Sequence, residues 1–274
     1  MKVLFTTDLH GRRWKYERLL ETAQRLGVDA VLNGGDMLPH AQDLFGQGRF
    51  IRGYLDAHLA RFDAAGIYYL GYLGNDDLGI FDALFDETCE KYPFVTCLAQ
   101  RRFQIGDWEF VGMNWVVDYP FRLKDRCRMD TRDYVFQEQF GTGLLSTPGG
   151  LKEIADWFAY ARALPTLADE LERLVRPKDM ARAVYVIHMP PHNLGLDECR
   201  AGPKVGSKAV YDFLLEHQPR LSLHGHIHES PQVSGKWYAR LGDTLCIQPG
   251  QLESLTYVVI DLETMEFDRH TEKP

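Results

Sequence analysis

No two cysteines in this chain are spaced as Cys-x-x-Cys, and the five present, Cys89, Cys97, Cys127, Cys199 and Cys246, are odd in number. That disfavours both a disulfide framework and a zinc ribbon, and leaves buried free thiols in a reducing compartment. A basic excess is also missing: 31 Lys and Arg stand against 39 Asp and Glu, a formal net charge of −8. Duplex nucleic acid calls for the opposite balance, so it is disfavoured as a partner. No apolar run approaches the roughly 18 residues of a membrane span. Met1-Lys2 runs straight into a strand-like stretch, without the two regions of a signal peptide. The expectation is a cytoplasmic protein with no membrane partner. Repeats and low-complexity linkers are absent too. With 274 residues and 45% hydrophobic content, the chain can bury the core of one large α/β domain or two small ones.

What is present is a rhythm of strands that end in polar residues. Val3-Leu4-Phe5-Thr6-Thr7 reads as a buried strand closing in Asp8-Leu9-His10-Gly11. Side chains two apart on a strand share a face, so Asp8 and His10 are expected to converge there. Trp14, Leu19, Leu20, Ala23 and Leu26 recur near helical spacing and predict a helix over 13–26, stopped by Gly27. Strands at 28–32 and 67–73 close in Asn33-Gly34-Gly35-Asp36 and Gly74-Asn75-Asp76-Asp77, with a helix at 51–65 between them. Strand, polar tip and helix in alternation indicate a parallel sheet. A helix is expected at 80–91, then short strands around 94–98, 102–105 and 109–112, with a hairpin turn at Gly106-Asp107.

Residues 113 to about 181 break the rhythm. A helix is expected there over 151–175, interrupted at Pro165. The apolar content is thin for a separate core, so 113–181 reads as an insertion or cap in a single domain spanning 1–274. A strand at 184–187 then delivers His188, a helix covers 207–217, and a strand at 221–223 ends in His224-Gly225-His226-Ile227-His228. Four tail strands, at 237–240, 244–247, 256–260 and 265–268, are expected to form an antiparallel edge or second sheet.

The polar tips together offer Asp8, His10, Asp36, Asn75, His188, His226 and His228. That is too many donors for one tetrahedral zinc and suits two ions sharing a carboxylate. Singly, each has a plainer reading: Asp8 as a helix cap, Asp36 as a turn residue, His188 as a core histidine. Their common position at strand ends favours metal. His224 is out of step with the pair at 226 and 228 and should face away. His40, His58, His192, His217 and His270 take the plain reading, although His40 and His192 lie near the site loops.

The ordered blocks Asp8-x-His10, Gly35-Asp36, Gly74-Asn75-x-Asp77, His188 and Gly225-His226-x-His228 resemble the calcineurin-like metallophosphoesterases. The resemblance implies a four-layer α/β/β/α sandwich of two mixed sheets, the metallo-dependent phosphatase-like fold, with its site at the C-terminal ends of the strands. It implies that Asp8, His10 and His228 hold one metal ion, that Asn75, His188 and His226 hold another, and that Asp36 bridges them. Two cations about 3.5–4 Å apart need a shared anion, and a carboxylate plus a bridging hydroxide can supply it. The donor types suit manganese, iron, zinc or nickel without choosing among them.

Two places depart from the pattern: most relatives carry His where this chain has Asp76, while Asp77 matches, and Gln248-Pro249-Gly250 stands where relatives often carry Asn-Pro-Gly. Asp76 and Asp77 are therefore the candidates for catalytic side chains. An ionised Asp76 would repel a phosphate dianion, which favours a phosphodiesterase over a phosphomonoesterase. The expected substrate is a small phosphoester. Trp115, Tyr119, Arg122, Arg126, Arg128 and Arg132 would suit a nucleotide-like one, and would equally suit a packed, salt-bridged cap. The alternative to an enzyme is a metal-bearing scaffold that binds a protein and hydrolyses little. The sequence does not address the oligomeric state.

Overall fold

The structure, a computed structural model, describes residues 1–40, 43–200 and 202–274. Strand β1 (Lys2–Thr6) leads into helix α1 (Arg13–Leu26), and β2 (Ala30–Asn33) leads into α2 (Gln47–Phe50). A π-helical turn, Ile51–Leu55, joins α2 to α3 (Asp56–Ala64); β3 (Tyr68–Gly71), α4 (Asp82–Cys89) and β4 (Val95–Cys97) follow. The hairpin of β5 (Arg102–Ile105) and β6 (Trp108–Met113) turns at Gly106-Asp107 as expected, with Ile105 paired to Trp108.

Residues 113–181 contribute β7 (Val116–Val117) paired with β8 (Cys127–Arg128), the hairpin of β9 (Gly143–Thr147) and β10 (Gly150–Ile154), and helices α5 (Trp157–Ala163) and α6 (Leu167–Arg173). Then come β11 (Ala183–Ile187), α7 (Lys208–His217), β12 (Leu221–Leu223), α8 (Ser230–Ser234), β13 (Tyr238–Leu241), β14 (Thr244–Ile247), β15 (Leu255–Asp261) and β16 (Phe267–Glu272).

Two mixed sheets result, ordered β16-β15-β1-β2-β3-β4 and β13-β14-β12-β11-β6-β5. The first has four parallel strands, β1 to β4, and the second has β6, β11, β12 and β14 parallel. Period-two alternation assigns the faces. Val3 and Phe5 of β1 turn inward, where they join Val184, Val186, Leu221 and Leu223 of the second sheet. Leu4 between them turns outward to meet Tyr16, Leu19 and Leu20 of α1. On the far side, Tyr185 and Ile187 of β11 pack with Trp157, Leu171, Phe213 and Leu214 from α5, α6 and α7. Helices, sheet, sheet, helices: the chain is a four-layer α/β/β/α sandwich. Residues from 113–181 thus help form the outer helical layer and the core beneath it. Among the described residues no helix is long and apolar enough to cross a membrane.

Two expectations fail locally. The stretch 151–154 is not helical: Leu151 to Ile154 pair with Ser146 to Gly143 in a hairpin. Leu151 and Ile154 are three apart and imitate a helical stripe, but the cross-strand partner satisfies their backbone. Helix begins only after Asp156, whose carboxylate accepts from Ala159 N, and Pro165 separates α5 from α6. The tail strands also divide. β14 runs parallel to β12 in the second sheet, while β15 and β16 close the first sheet antiparallel. Strand direction depends on which sheet edge the chain reaches, and local pattern does not carry that information.

Candidate metal centre

β1, β2 and β3 point their C-terminal ends to one side of the first sheet, and the loops after β11 and β12 meet them from the second. The side chains converge there, although not by the strand alternation expected from sequence. β1 ends at Thr6 and β12 at Leu223, before the polar residues begin. Asp8, His10, Asp36 and His226 instead have φ of 55°, 46°, 50° and 70°. Non-glycine residues held in that left-handed region cost of order 1–3 kcal/mol each, and such strain concentrates at functional sites.

Two groups of donors form. In the first, one donor atom from each of Asp8, His10, Asp36 and His228 lies within 4.8 Å of every other. His228 Nε2 is 3.2 Å from Asp8 Oδ1, and 3.1 Å from His10 Nε2. In the second, the Asn75 carbonyl oxygen is 2.8 Å from His188 Nε2 and 2.7 Å from His226 Nδ1. Asp36 belongs to both, its Oδ2 lying 3.4 Å from His188 Nε2. All seven residues are thereby brought together.

The packing leaves room for donor atoms and little else. A Cβ on Gly225 would stand 2.1 Å from Thr7 Oγ1 and 2.8 Å from Asp8 Oδ2. One on Gly74 would stand 2.2 Å from Asp36 Oδ1. Asp8 Oδ2 and His10 Nδ1 are buried with no hydrogen-bond partner. Buried carboxylates and imidazoles crowded together with lone pairs unmet are costly alone and suited to cations. The residues therefore fit divalent metal.

The electrostatics show the same crowding. Burial opposes charge on His188 and His228, but the carboxylates of Asp36 and Asp8 override it and hold both rings up at about 9. Burial would raise Asp8 and Asp36, yet the charges and hydrogen bonds of His228 and His188 bring both below the ordinary carboxylate value. His10 and His226 lack so close a partner, and burial lowers them to about 4 and about 3. His188 is oriented from behind: its Nδ1 meets Gly34 O at 2.6 Å, leaving Nε2 for the donors.

Asp76 and Asp77 are adjacent but differ in surroundings. Asp76 lies at the rim, its side chain 37% exposed and 4.0 Å from His10 Nδ1. Burial of the carboxyl and the Asp36 charge push it up to about 8. Asp77 is fully buried and accepts from Met37 N, Leu38 N and Gly74 N at 2.9, 2.8 and 2.7 Å. Burial and Asp36 raise it to about 7. Its carboxylate ties the Asp36 loop to the Asn75 loop and faces backbone, not the donor cluster.

Several neighbours brace or border the donors. The Gln248 amide donates to Gly225 O and, at 3.2 Å, to Ile227 O, clamping the loop of His226 and His228. It is the residue of Gln248-Pro249-Gly250, directly after β14, that departs from the family's usual Asn. Arg126 Nε donates to Gly74 O at 3.3 Å while its guanidinium grips Asp82, bracing the Asn75 loop. The Tyr119 ring lies 5.9 Å from that of His226. His224 faces away, its Nδ1 at 3.0 Å from Ile187 O. Arg12 pairs with Glu253 at 2.9 Å. His40 stands beside His10, ring centroids 4.4 Å apart, while His192 packs against Tyr211. A cavity of about 870 Å³ lined by Met1, Ile67, Ile105 and Trp108 involves none of the seven donors.

Residues 1–230 match the family model described as calcineurin-like phosphoesterase. No protein of curated function matches the sequence. One crystal structure aligns over 99% of both chains at 16% identity with a TM-score of 0.64. The crystal structure of TT1561 from Thermus thermophilus aligns over 98% of both chains at 17% identity, TM-score 0.58. A dimetal phosphatase from Danio rerio aligns over all of this chain and 96% of its own at 13% identity, TM-score 0.56. These likenesses are likenesses of fold.

Proposed function

The chain belongs to the calcineurin-like phosphoesterases, metal-dependent phosphoester hydrolases, and from that premise we propose a dinuclear enzyme that prefers phosphodiesters to phosphomonoesters. The observation that carries the proposal is the pair of donor groups sharing Asp36. Asp8, His10 and His228 would hold one ion, Asn75, His188 and His226 the other, with Asp36 between them. Two divalent ions held there would supply charge neutralisation for the phosphoryl oxygens and activation of water at neutral pH. Manganese, iron, zinc and nickel all suit this donor set.

The protein's own share is positioning. The Gly34 carbonyl fixes the orientation of His188, and His226 N donates to Asp8 Oδ1 at 3.2 Å. We assign Asp77 a positioning role, since its carboxylate faces three backbone amides. Asp76 is the group at the rim. Bound cations lower the pKa of a neighbouring carboxyl, so with metal held by the donors Asp76 would be an anion beside the incoming phosphate. A diester carries one negative charge there and a monoester up to two, which is the physical basis of the preference.

We read 1–274 as one domain in which 113–181 covers the second sheet and borders the site. Three of its arginines are engaged in ion pairs: Arg126 with Asp82, Arg128 with Glu170, Arg122 with Glu153. Trp115 lies under the Arg128 guanidinium at 3.7 Å. Buried free thiols at four of the five cysteines support a cytoplasmic setting.

Hydrolysis of bis-p-nitrophenyl phosphate by manganese-loaded protein tests the reading. Turnover that disappears on chelation and returns with metal is expected. A fully loaded protein without turnover would leave the scaffold alternative standing.

A further inference from the structure

With Arg122, Arg126 and Arg128 paired, the segment 113–181 leaves something else beside the metal donors: a row of aromatic rings. Tyr119 lies 5.9 Å from His226, Phe121 5.9 Å from Tyr119, and Phe140 packs edge-on against Phe121 at 5.4 Å. The inner ring is fixed. Its hydroxyl donates to Leu123 O at 2.9 Å, and the Lys124 ammonium stands 5.0 Å from its centre. The outer two rings are open, Phe121 61% and Phe140 69% exposed. Neither sits on untethered backbone. Phe140 N donates to Pro120 O at 2.9 Å, and Arg122 Nε to Thr142 O at 3.1 Å. Two adjacent phenyl groups held in water, joined to the donor cluster through Tyr119, forgo burial that most aromatics of this chain obtain. Exposed apolar groups kept in place next to a site are characteristic of ligand binding.

We propose that Phe121 and Phe140 form the subsite for a planar heteroaromatic arm of the phosphoester, with a nucleoside base as the ring class it takes. This rests on the hydrolase reading above. Aromatic faces accept any base by stacking, without hydrogen-bond readout. The ladder begins at His226, one of the metal donors, so the outer rings are joined to the donor cluster through Tyr119. The paired arginines and the net charge of −8 give an extended polyanion little to hold. A single nucleoside arm fits better than a polynucleotide.

The test compares two diesters with the same leaving group, thymidine 5′-p-nitrophenyl phosphate and methyl p-nitrophenyl phosphate, on the metal-loaded full chain. In the double variant Phe121→Ala/Phe140→Ala, KM for the thymidine ester is expected to rise about 5- to 100-fold, the range that losing a base stack produces. Its kcat and both constants for the methyl ester should stay unchanged. Phe121→Leu/Phe140→Leu restores apolar area without a π-face and should recover little. Equal effects on the two esters, or none, overturn the proposal. If the parent hydrolyses neither ester, the hydrolase reading fails, and titration with thymidine 5′-monophosphate decides the subsite. Binding weakened in the same range by the alanine pair keeps it; absent or unchanged binding overturns it. Should the alanine pair alter only the sedimentation behaviour, the rings are an interface between copies, and the proposal is also overturned.

Discussion

Asp36 is the residue on which both donor groups depend. Its Oδ1 accepts from Asp76 N at 2.8 Å and its Oδ2 faces His188. Asp36→Asn keeps the shape and removes the anion that two cations would share. Metal content measured by elemental analysis should fall from about two ions per chain to one or fewer, as expected when a two-metal site loses its bridge. Retention of both ions would exclude Asp36 as the bridge. The proposed selectivity rests on Asp76 instead. Asp76→His removes a rim carboxylate and adds a donor, and general-acid help typically contributes about 10²–10⁴-fold. The kcat/KM for methyl phosphate, whose alkoxide leaving group needs a proton, should therefore rise, by about 10²- to 10⁴-fold. Asp76→Asn should give a smaller rise, because it removes charge without supplying an acid. If the His variant loses activity on both the monoester and its bis ester, Asp76 is itself a catalytic or ligating group.

The element that connects the site to the outer layer is the stretch from Asp118 to Arg128. Lys124 and Asp118 form an ion pair at 2.7 Å with neither side chain exposed. The Asp118 carboxylate also accepts from Trp157 Nε1 at 2.9 Å and Gln139 Nε2 at 3.0 Å, so three chain segments meet on it. Removing one member of such a pair strands the other charge in the interior, at a cost of about 3–5 kcal/mol. Lys124→Met should lower the unfolding free energy by that order in denaturant titrations. The double change Lys124→Met/Asp118→Leu should recover part of the loss, because no charge is then left alone. A single variant as stable as the parent would show that water reaches the pair.

At the scale of the whole molecule, stability is linked to metal and pH. In the metal-free protein His188 and His228 are held up at about 9 against an unfolded value near 6.5. Their contribution is complete below about 6.5 and is lost as pH rises through about 9. Asp76 and Asp77, raised to about 8 and about 7, act in the same direction over the lower part of that window. Metal binds the deprotonated rings, so its stabilisation grows with pH over the same range. The difference in Tm between loaded and chelator-stripped protein should widen from pH 6.5 to pH 9, checked by thermal unfolding at fixed free metal. A gap that narrows with pH would contradict this charge assignment.

Local pattern in the sequence determined the strands that lead toward Asp8, Asp36, Asn75, His188 and the 226–228 pair, and helices such as Arg13–Leu26. Apolar periodicity and turn residues act within a few neighbours, so one chain suffices to read them. Tertiary structure alone decided how the donors meet. Asp8, His10, Asp36 and His226 are aimed by left-handed backbone beyond the strands, a conformation that loops from two sheets impose jointly. It decided that Asp77 faces backbone while Asp76 faces the rim, although the two are adjacent and chemically identical. It also took Arg126 and Arg128 into ion pairs and left Phe121 and Phe140 in water. Partner choice across long sequence separation depends on which surfaces the packed layers bring together, and no local spacing encodes it.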